Sequence, residues 1–328
     1  MSEPGRRAPG RAGGGPTVGE VGEFGLIEAI TRGLGPTASV PVSVGDDCAV
    51  LAPRGQVAVS TDTMVQDVHF KLQWSSARDV GRKLVASSMA DVEAMGARPL
   101  GLVVSATLPV DTTVAWASEF AAGVREEAER CGAPLVGGDT SRGEAIVLTC
   151  TVLGDLEGRT PVLRSGARPG QVVAYIGNLG MAEAGVTVLR RGFRSPAAVV
   201  NAHRVPSPPY GQGLVAAEHG AGAMIDCSDG LVADLRHLAE ASGVTIAIET
   251  DALSASDPQK TVAAAIGGAD PLDFILRGGD DHAMLATFDP GRVPPGWTVI
   301  GGVADADGEP TVLVDGQPYA APGGWTHF

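Results

Sequence analysis

The chain has 328 residues, room for one large or two medium domains, and 44% of them are hydrophobic, which rules out wholesale disorder. Its 38 acidic residues against 24 basic ones give a net charge of −14, so neither nucleic acid nor an anionic membrane is an expected partner. There is no apolar run of about 18 residues and no apolar segment behind the basic N-terminus, so neither a membrane span nor a secretory signal is expected.

Residues 1–17 (MSEPGRRAPGRAGGGPT) offer almost nothing to bury and read as a disordered tail. From Val21 onward strand and helix signals alternate. Residues 57–61 (VAVST) and 100–108 (LGLVVSATL) predict strands, with a helix over 79–96 between them. A helix over 112–131 and a short apolar strand lead into GGDTSRG, and 145–153 (AIVLTCTVL) is a further strand. The stretch 164–171 (RSGARPGQ) reads as a joint, which divides the chain into domains 18–155 and 156–328. Beyond it come a strand at 172–176, a helix at 181–191, the Pro-rich VPSPPYG, a strand at 223–227 and a helix at 231–242. Strands follow near Val244, Ala283, Thr298 and Thr311, with DADG (305–308) read as a hairpin turn. No repeat period appears, so the expected fold class is α/β with mixed sheets in two domains.

Cys48, Cys131, Cys150 and Cys227 lie far apart without a CxxC pair, which disfavours a structural zinc site or a disulfide framework. A reduced, cytoplasmic protein is expected. The aspartates are more telling. They recur in Gly-flanked turns after apolar strands: GDD at 45–47, STD at 60–62, GGD at 137–139, DCSDG at 226–230 and GGDD at 278–281. One such turn is ordinary, but strand ends on one side of a sheet share a crevice. Carboxylates gathered there repel one another unless cations offset them.

On a helix advancing about 100° per residue, Asp91 falls within about 20° of Val80 and on the side of Leu84 and Ser87, whereas Arg82, Lys83 and Glu93 fall on the other. A carboxylate on a buried face needs a partner. That partner is either a nearby donor such as Ser87 or Ser88, or a metal ion. In residues 224–230 (MIDCSDG), alternation puts Met224, Asp226 and Ser228 on one face and Ile225 and Cys227 on the other. Asp229 then stands where it could cap the following helix, bind a metal, or do both. The donors are oxygens and no two histidines have ligand spacing, so Mg²⁺ is favoured over zinc, with phosphoryl transfer on a nucleotide as the chemistry. No P-loop, HRD or DFG motif is present, and Gly177, Gly180 and Gly185 do not fit GxGxxG.

Taken in order, GEFGLI (22–27), GDDCAVL (45–51), STDTMVQDVHF (60–70), KLVASSMADVEAMGARP (83–99), LVGGDTSRG (135–143), LRSGARPG (163–170), IDCSDGL (225–231) and GGDDH (278–282) resemble the thiamine-monophosphate kinase family. That family lies within the aminoimidazole ribonucleotide synthetase-like superfamily. The resemblance implies two α/β domains, a homodimer paired through the N-terminal domain, and ATP bound in the interdomain cleft. It implies ATP- and Mg²⁺-dependent phosphorylation of thiamine monophosphate, the last step to thiamine diphosphate. By the same resemblance Asp47, Ser60, Thr61, Asp62, Asp91, Asp139, Asp226 and Asp229 match magnesium ligands. Gly138, Asp139, Arg164 and Ser228 match ATP-binding positions. His69, Asp280 and Trp325 match substrate contacts. GGDDH departs from the family's usual GGEDY: Asp280 stands for Glu and His282 for Tyr.

The acceptor phosphate is mostly dianionic at pH 7, so no general base is expected among the residues. The difficulty is repulsion between two anions, which several Mg²⁺ ions and an arginine would offset. A selenophosphate synthetase would need a Cys or selenocysteine beside a Lys near the N-terminus, and residues 1–47 contain neither Cys nor Lys. A hydrogenase maturation protein would end in a modified Cys, where this chain has Phe328. Aminoimidazole ribonucleotide synthetase itself, and a non-catalytic cation-dependent nucleotide-binding protein, are the alternatives.

Overall fold

The computed structural model describes residues 15–44 and 48–319. The disordered tail expected over 1–17 thus falls mostly outside the described residues, as do Asp47 and Trp325. The chain divides into two compact units. One draws on residues 1–52, 61–85 and 101–151, the other on 53–60, 86–100 and 152–328.

The first unit is built around strands β1 (Val57–Val65), β2 (Arg98–Leu108), β3 (Leu135–Arg142) and β4 (Val147–Asp155), in sheet order β1-β4-β2-β3. Its helices are α1 (Val18–Thr31), α3 (Val114–Cys131) and the first half of α2 (Ala77–Ala94), whose residues from Ala86 on belong to the second unit. α1 begins in a capping box between Thr17 and Glu20, and Thr113 accepts the Trp116 amide to start α3. Gly132, left-handed at φ 77°, ends α3. β2 and β3 run parallel, pairing Val104 with Gly138 and Ser105 with Asp139. A Cβ at Gly138 would stand 2.1 Å from the Val104 carbonyl oxygen, so only glycine lets the backbone approach this closely.

The second unit carries a seven-stranded sheet. Its strands are β5 (Val172–Ile176), β6 (Met224–Cys227), β7 (Val244–Ile248), β8 (Ala283–Phe288), β9 (Thr298–Asp305), β10 (Thr311–Val314) and β11 (Gln317–Pro318). The order is β11-β10-β7-β9-β5-β8-β6, with β10 parallel to β7 and the other pairs antiparallel. Alternating side chains feed two cores on opposite faces. Ile225, Cys227 and Leu285 join Leu231, Leu235 and Leu238 of α7 (Leu231–Ser242) on one. Met224 and Met284 join Ala90 and Ala94 of α2 and Ala216 of α6 (Gln212–Glu218) on the other. The split of residues 224–227 between two faces is as alternation predicts.

Two expectations fail here. DADG is not a hairpin turn, because β7 lies between β9 and β10 in the sheet and the two do not pair. Glu93 and Lys83 do not lie on a solvent face either, being only 1% and 4% exposed. α2 is packed on most sides, so Lys83, Ser88 and Glu93 are buried, while Arg82, Ser87 and Asp91 are only partly so. Glu93 meets this by accepting the Gly211 and Gly213 amides at 2.8 and 2.9 Å, at the start of α6. Helices α4 (Met181–Arg190), α5 (Ala197–Arg204), α8 (Asp257–Ala265) and α9 (Leu272–Arg277) complete the unit.

Candidate functional site

Within the first unit, Thr61 and Asp62 lie on β1, and Gly138 and Asp139 on β3. The Thr61 hydroxyl lies 3.3 Å from the Cys150 carbonyl and 3.0 Å from the Thr151 hydroxyl, and Ser141 donates to Asp139 at 3.1 Å. A cavity of about 380 Å³ lies in this unit, lined largely by apolar side chains such as Leu26, Ile30 and Phe120, with Gly138 and Asp139 also in its wall. His69 is partly buried after β1, and its Nδ1 accepts the Val65 amide at 3.0 Å. In the neutral ring this leaves the proton on Nε2.

Asp91 and Ser60 meet in the second unit, where the Ser60 hydroxyl donates to Asp91 Oδ2 at 2.5 Å. Ser60 is a strand residue, a donor that the helical wheel of α2 alone does not supply. Arg164 sits in a short 3₁₀ turn (Arg164–Gly166) with its side chain exposed, and its carbonyl accepts from Ser242 at 2.7 Å.

The densest group lies where two motifs 50 residues apart in sequence abut. β6 and β8 are antiparallel neighbours, with Asp226 opposite Met284 and Cys227 opposite Ala283. Their turns are then laced together by the Asp280 amide to the Ser228 carbonyl at 2.8 Å and the His282 amide to the Cys227 carbonyl at 2.9 Å. Asp280 and His282 both have positive φ, 69° and 56°, which few non-glycine residues adopt. Gly279 leaves no room for a Cβ, which would fall 2.1 Å from the Ser228 carbonyl. The backbone thereby fixes Asp226, Ser228, Asp229, Asp280 and His282 as one group.

Inside it the charges crowd. His282 Nδ1 lies 2.9 Å from Asp226 Oδ2 and its Nε2 3.9 Å from Asp280 Oδ1, while His203 Nδ1 lies 3.6 Å from Asp280 Oδ2. Asp229 does not cap α7. The N-cap is Gly230, and it is Asp234 that reaches back, accepting the Asp229 and Gly230 amides at 3.0 and 2.9 Å. Burial, then the charge of Asp226, pushes Asp234 up to about 7 against the pull of the Gly230 amide. Burial also drives Asp281 up to about 7, although the Ala182 amide at 3.0 Å favours its charged form. Burial and the Asp234 charge push the Cys227 thiol well above its ordinary range, so it is an inert packing group.

This group fits a hard divalent cation. Its donors are mainly carboxylate oxygens, and one of them, on the 3% exposed Asp226, is buried beside two further acids. Potential ligand atoms of Asp229, Asp234 and His237 lie within 4.8 Å of one another. Sequence reasoning missed Asp234, Asp281 and His203. Asp234 was legible only as a polar break in the apolar face of α7, and Asp281 only as the second acid of GGDD.

Comparison with known proteins places the chain in a family. The family model for the N-terminal domain of AIR synthase-related proteins matches residues 45–156, and that for the C-terminal domain matches 168–294. The chain is thus a two-domain AIR synthase-related protein with mixed α/β sheets. A thiamine-monophosphate kinase of Mycobacterium tuberculosis is 48% identical over 314 residues, covering 95% of this chain and 93% of that protein. One from Corynebacterium glutamicum is 38% identical, covering 96% of each. A solved structure, AaThiL complexed with AMPPCP and TMP, superimposes with a TM-score of 0.76 at 34% identity, covering 94% of this chain and 98% of that one. The chain belongs to the thiamine-monophosphate kinase family.

Proposed function

We propose that this chain transfers the γ-phosphoryl group of ATP to the phosphate of thiamine monophosphate, yielding thiamine diphosphate and ADP. What carries the reading is kinship along nearly the whole chain with thiamine-monophosphate kinases, including a relative solved with an ATP analogue and TMP. The acceptor is already an anion, so the residues need only bind, align and shield it. A phosphate oxygen attacks the γ-phosphorus in line as the bond to the ADP oxygen breaks, with no phosphoenzyme between. Bound Mg²⁺ would supply charge neutralisation for the two anions. In our reading Asp47, Ser60, Thr61, Asp62, Asp91, Asp139, Asp226 and Asp229 hold it. Gly138, Asp139, Arg164 and Ser228 bind ATP, and His69, Asp280 and Trp325 contact thiamine monophosphate.

The domains are assigned to 18–155 and 156–328. The protein is read as a cytoplasmic homodimer. Among the described residues no helix is long and apolar enough to cross a membrane. Support for the dimer comes from β1, whose alternate residues Val57, Val59, Thr61 and Thr63 are exposed, Val59 at 64%. An uncovered strand face bearing two exposed valines is a surface for a second copy.

The test is direct. Purified protein with ATP, Mg²⁺ and thiamine monophosphate should release thiamine diphosphate, and labelled ATP should leave no phosphate on the protein. Folded protein that forms no product, or a trapped phospho-aspartate, would overturn the activity or the direct mechanism respectively.

A further inference from the structure

A residue that departs from the family's motif sits against Asp226, the most buried of the described acids in the proposed ligand set. His282 is itself buried, 7% exposed, and its Nδ1 is 2.9 Å from Asp226 Oδ2. A carboxylate accepts, so Nδ1 bears the proton in this contact. The ring is not free to leave. The His282 amide is tied to the Cys227 carbonyl at 2.9 Å, one residue from Asp226, and the left-handed backbone at φ 56° aims the side chain back across that strand. The other ring nitrogen faces Asp280 at 3.9 Å, so one imidazole stands between an acid on the metal side and an acid on the substrate side. A tyrosine here would carry its only polar atom at the far end of the ring and could not occupy the place of Nδ1.

We propose that His282 is a positioning residue for Asp226: its Nδ1–H holds Oδ2, fixes the carboxylate's rotation and leaves Oδ1 to face a divalent cation. Outer partners of this kind orient ligating carboxylates, and their loss typically weakens metal affinity by about 10–100-fold. The inference rests on the metal reading above and adds to it a residue outside the proposed ligand set.

Mn²⁺ serves as the probe, titrated into the full-length protein without nucleotide and followed by the loss of the free-ion paramagnetic resonance signal. His282→Asn keeps an N–H near the position of Nδ1 and tolerates a left-handed backbone. His282→Leu removes the donor. The Leu variant should bind Mn²⁺ about 10-fold or more weakly, with Asn close to wild type. In turnover, the Mg²⁺ concentration for half-maximal rate should rise for Leu more than kcat at saturating Mg²⁺ falls. A folded Leu variant with wild-type Mn²⁺ affinity, or an Asn variant as weak as Leu, overturns the proposal. Should the Leu variant not fold, His282→Gln replaces it, since its amide reaches the place of Nε2 and not that of Nδ1. Gln binding Mn²⁺ as well as Asn would be equally fatal. Wild-type protein that binds Mn²⁺ but makes no thiamine diphosphate removes the kinase reading and leaves the His282 contact supported. Wild-type protein that binds no Mn²⁺ removes the contact's proposed role.

Discussion

Asp281 offers the sharpest quantitative test of the electrostatics at the junction of the two turns. Its side chain is buried, one oxygen accepts the Ala182 amide, and the other, Oδ2, has no hydrogen-bond partner. Burial raises it from 3.8 to about 7. Below the lower value both folded and unfolded chains hold the proton, and nothing is lost. Between the two values the unfolded chain releases it while the folded chain keeps it, so stability falls as pH rises, and the loss is complete above about pH 7. About three pH units at 1.36 kcal/mol each give a penalty of about 4 kcal/mol, of which about 3 kcal/mol falls between pH 5 and 7. Asp281→Asn keeps the acceptor for Ala182 but places an unpartnered amide at Oδ2, a pH-independent cost of about 1–3 kcal/mol. Whatever the offset at pH 5, the variant should therefore gain about 3 kcal/mol on wild type by pH 8. Urea unfolding across that range measures the difference, which also removes the contribution of Asp234, common to both proteins. Stability curves that run parallel would refute the argument, because they would mean Asp281 titrates alike folded and unfolded.

Four further outcomes follow. Ser60→Ala strips a charge-assisted hydrogen bond from Asp91 and should cost about 1.5–3 kcal/mol in stability. Asp91→Asn, in a chain that stays folded, should lose Mg²⁺-dependent turnover; unchanged turnover and Mg²⁺ dependence would remove Asp91 from the ligand set. Glu93→Ala orphans the Gly211 and Gly213 amides and should destabilise by about 2–6 kcal/mol at about 1–3 per amide, whereas Glu93→Gln, which keeps one acceptor, should lose about half as much in denaturant titration. Val59→Glu places a charge on the uncovered face of β1 and should shift sedimentation from dimer to monomer with the fold retained.

Local patterns were legible and long-range order was not. The strand at 172–176 and the helix at 231–242 have the bounds their apolar patterns predict. Other strands were found but cut short: β1 continues four residues beyond VAVST, because Asp62 and Thr63 break the apolar run without breaking the strand. α5, α6, α8 and α9 are six to nine residues long, too short to display a helical period, and went unseen. The supposed hairpin at DADG shows the limit plainly. A polar Gly turn between two strands says that the chain reverses, but not whether the second strand pairs with the first or crosses over β7.

The same limit explains what could be read of the site. Which face of α2 is covered depends on its neighbours, so Glu93 is buried while Asp91, placed by periodicity on the apolar face, is only partly buried. Its partner Ser60 lies on another element, 31 residues away, and no spacing rule reaches it. Asp226 and His282 are 56 residues apart and meet only because β6 and β8 are neighbours at the edge of a seven-stranded sheet. The acid-rich turns were visible because glycine and aspartate cluster in the sequence; their convergence depends on strand order. The resemblance to a family supplied a set of expected positions, not the strand order that brings them together. Where this chain departs from the family, at Asp280 and His282, that help ends, and the contacts there must be read from the structure. A histidine that replaces a tyrosine beside a buried carboxylate changes which atom meets the acid, and for that reason the departure and Asp226 have to be tested as a pair.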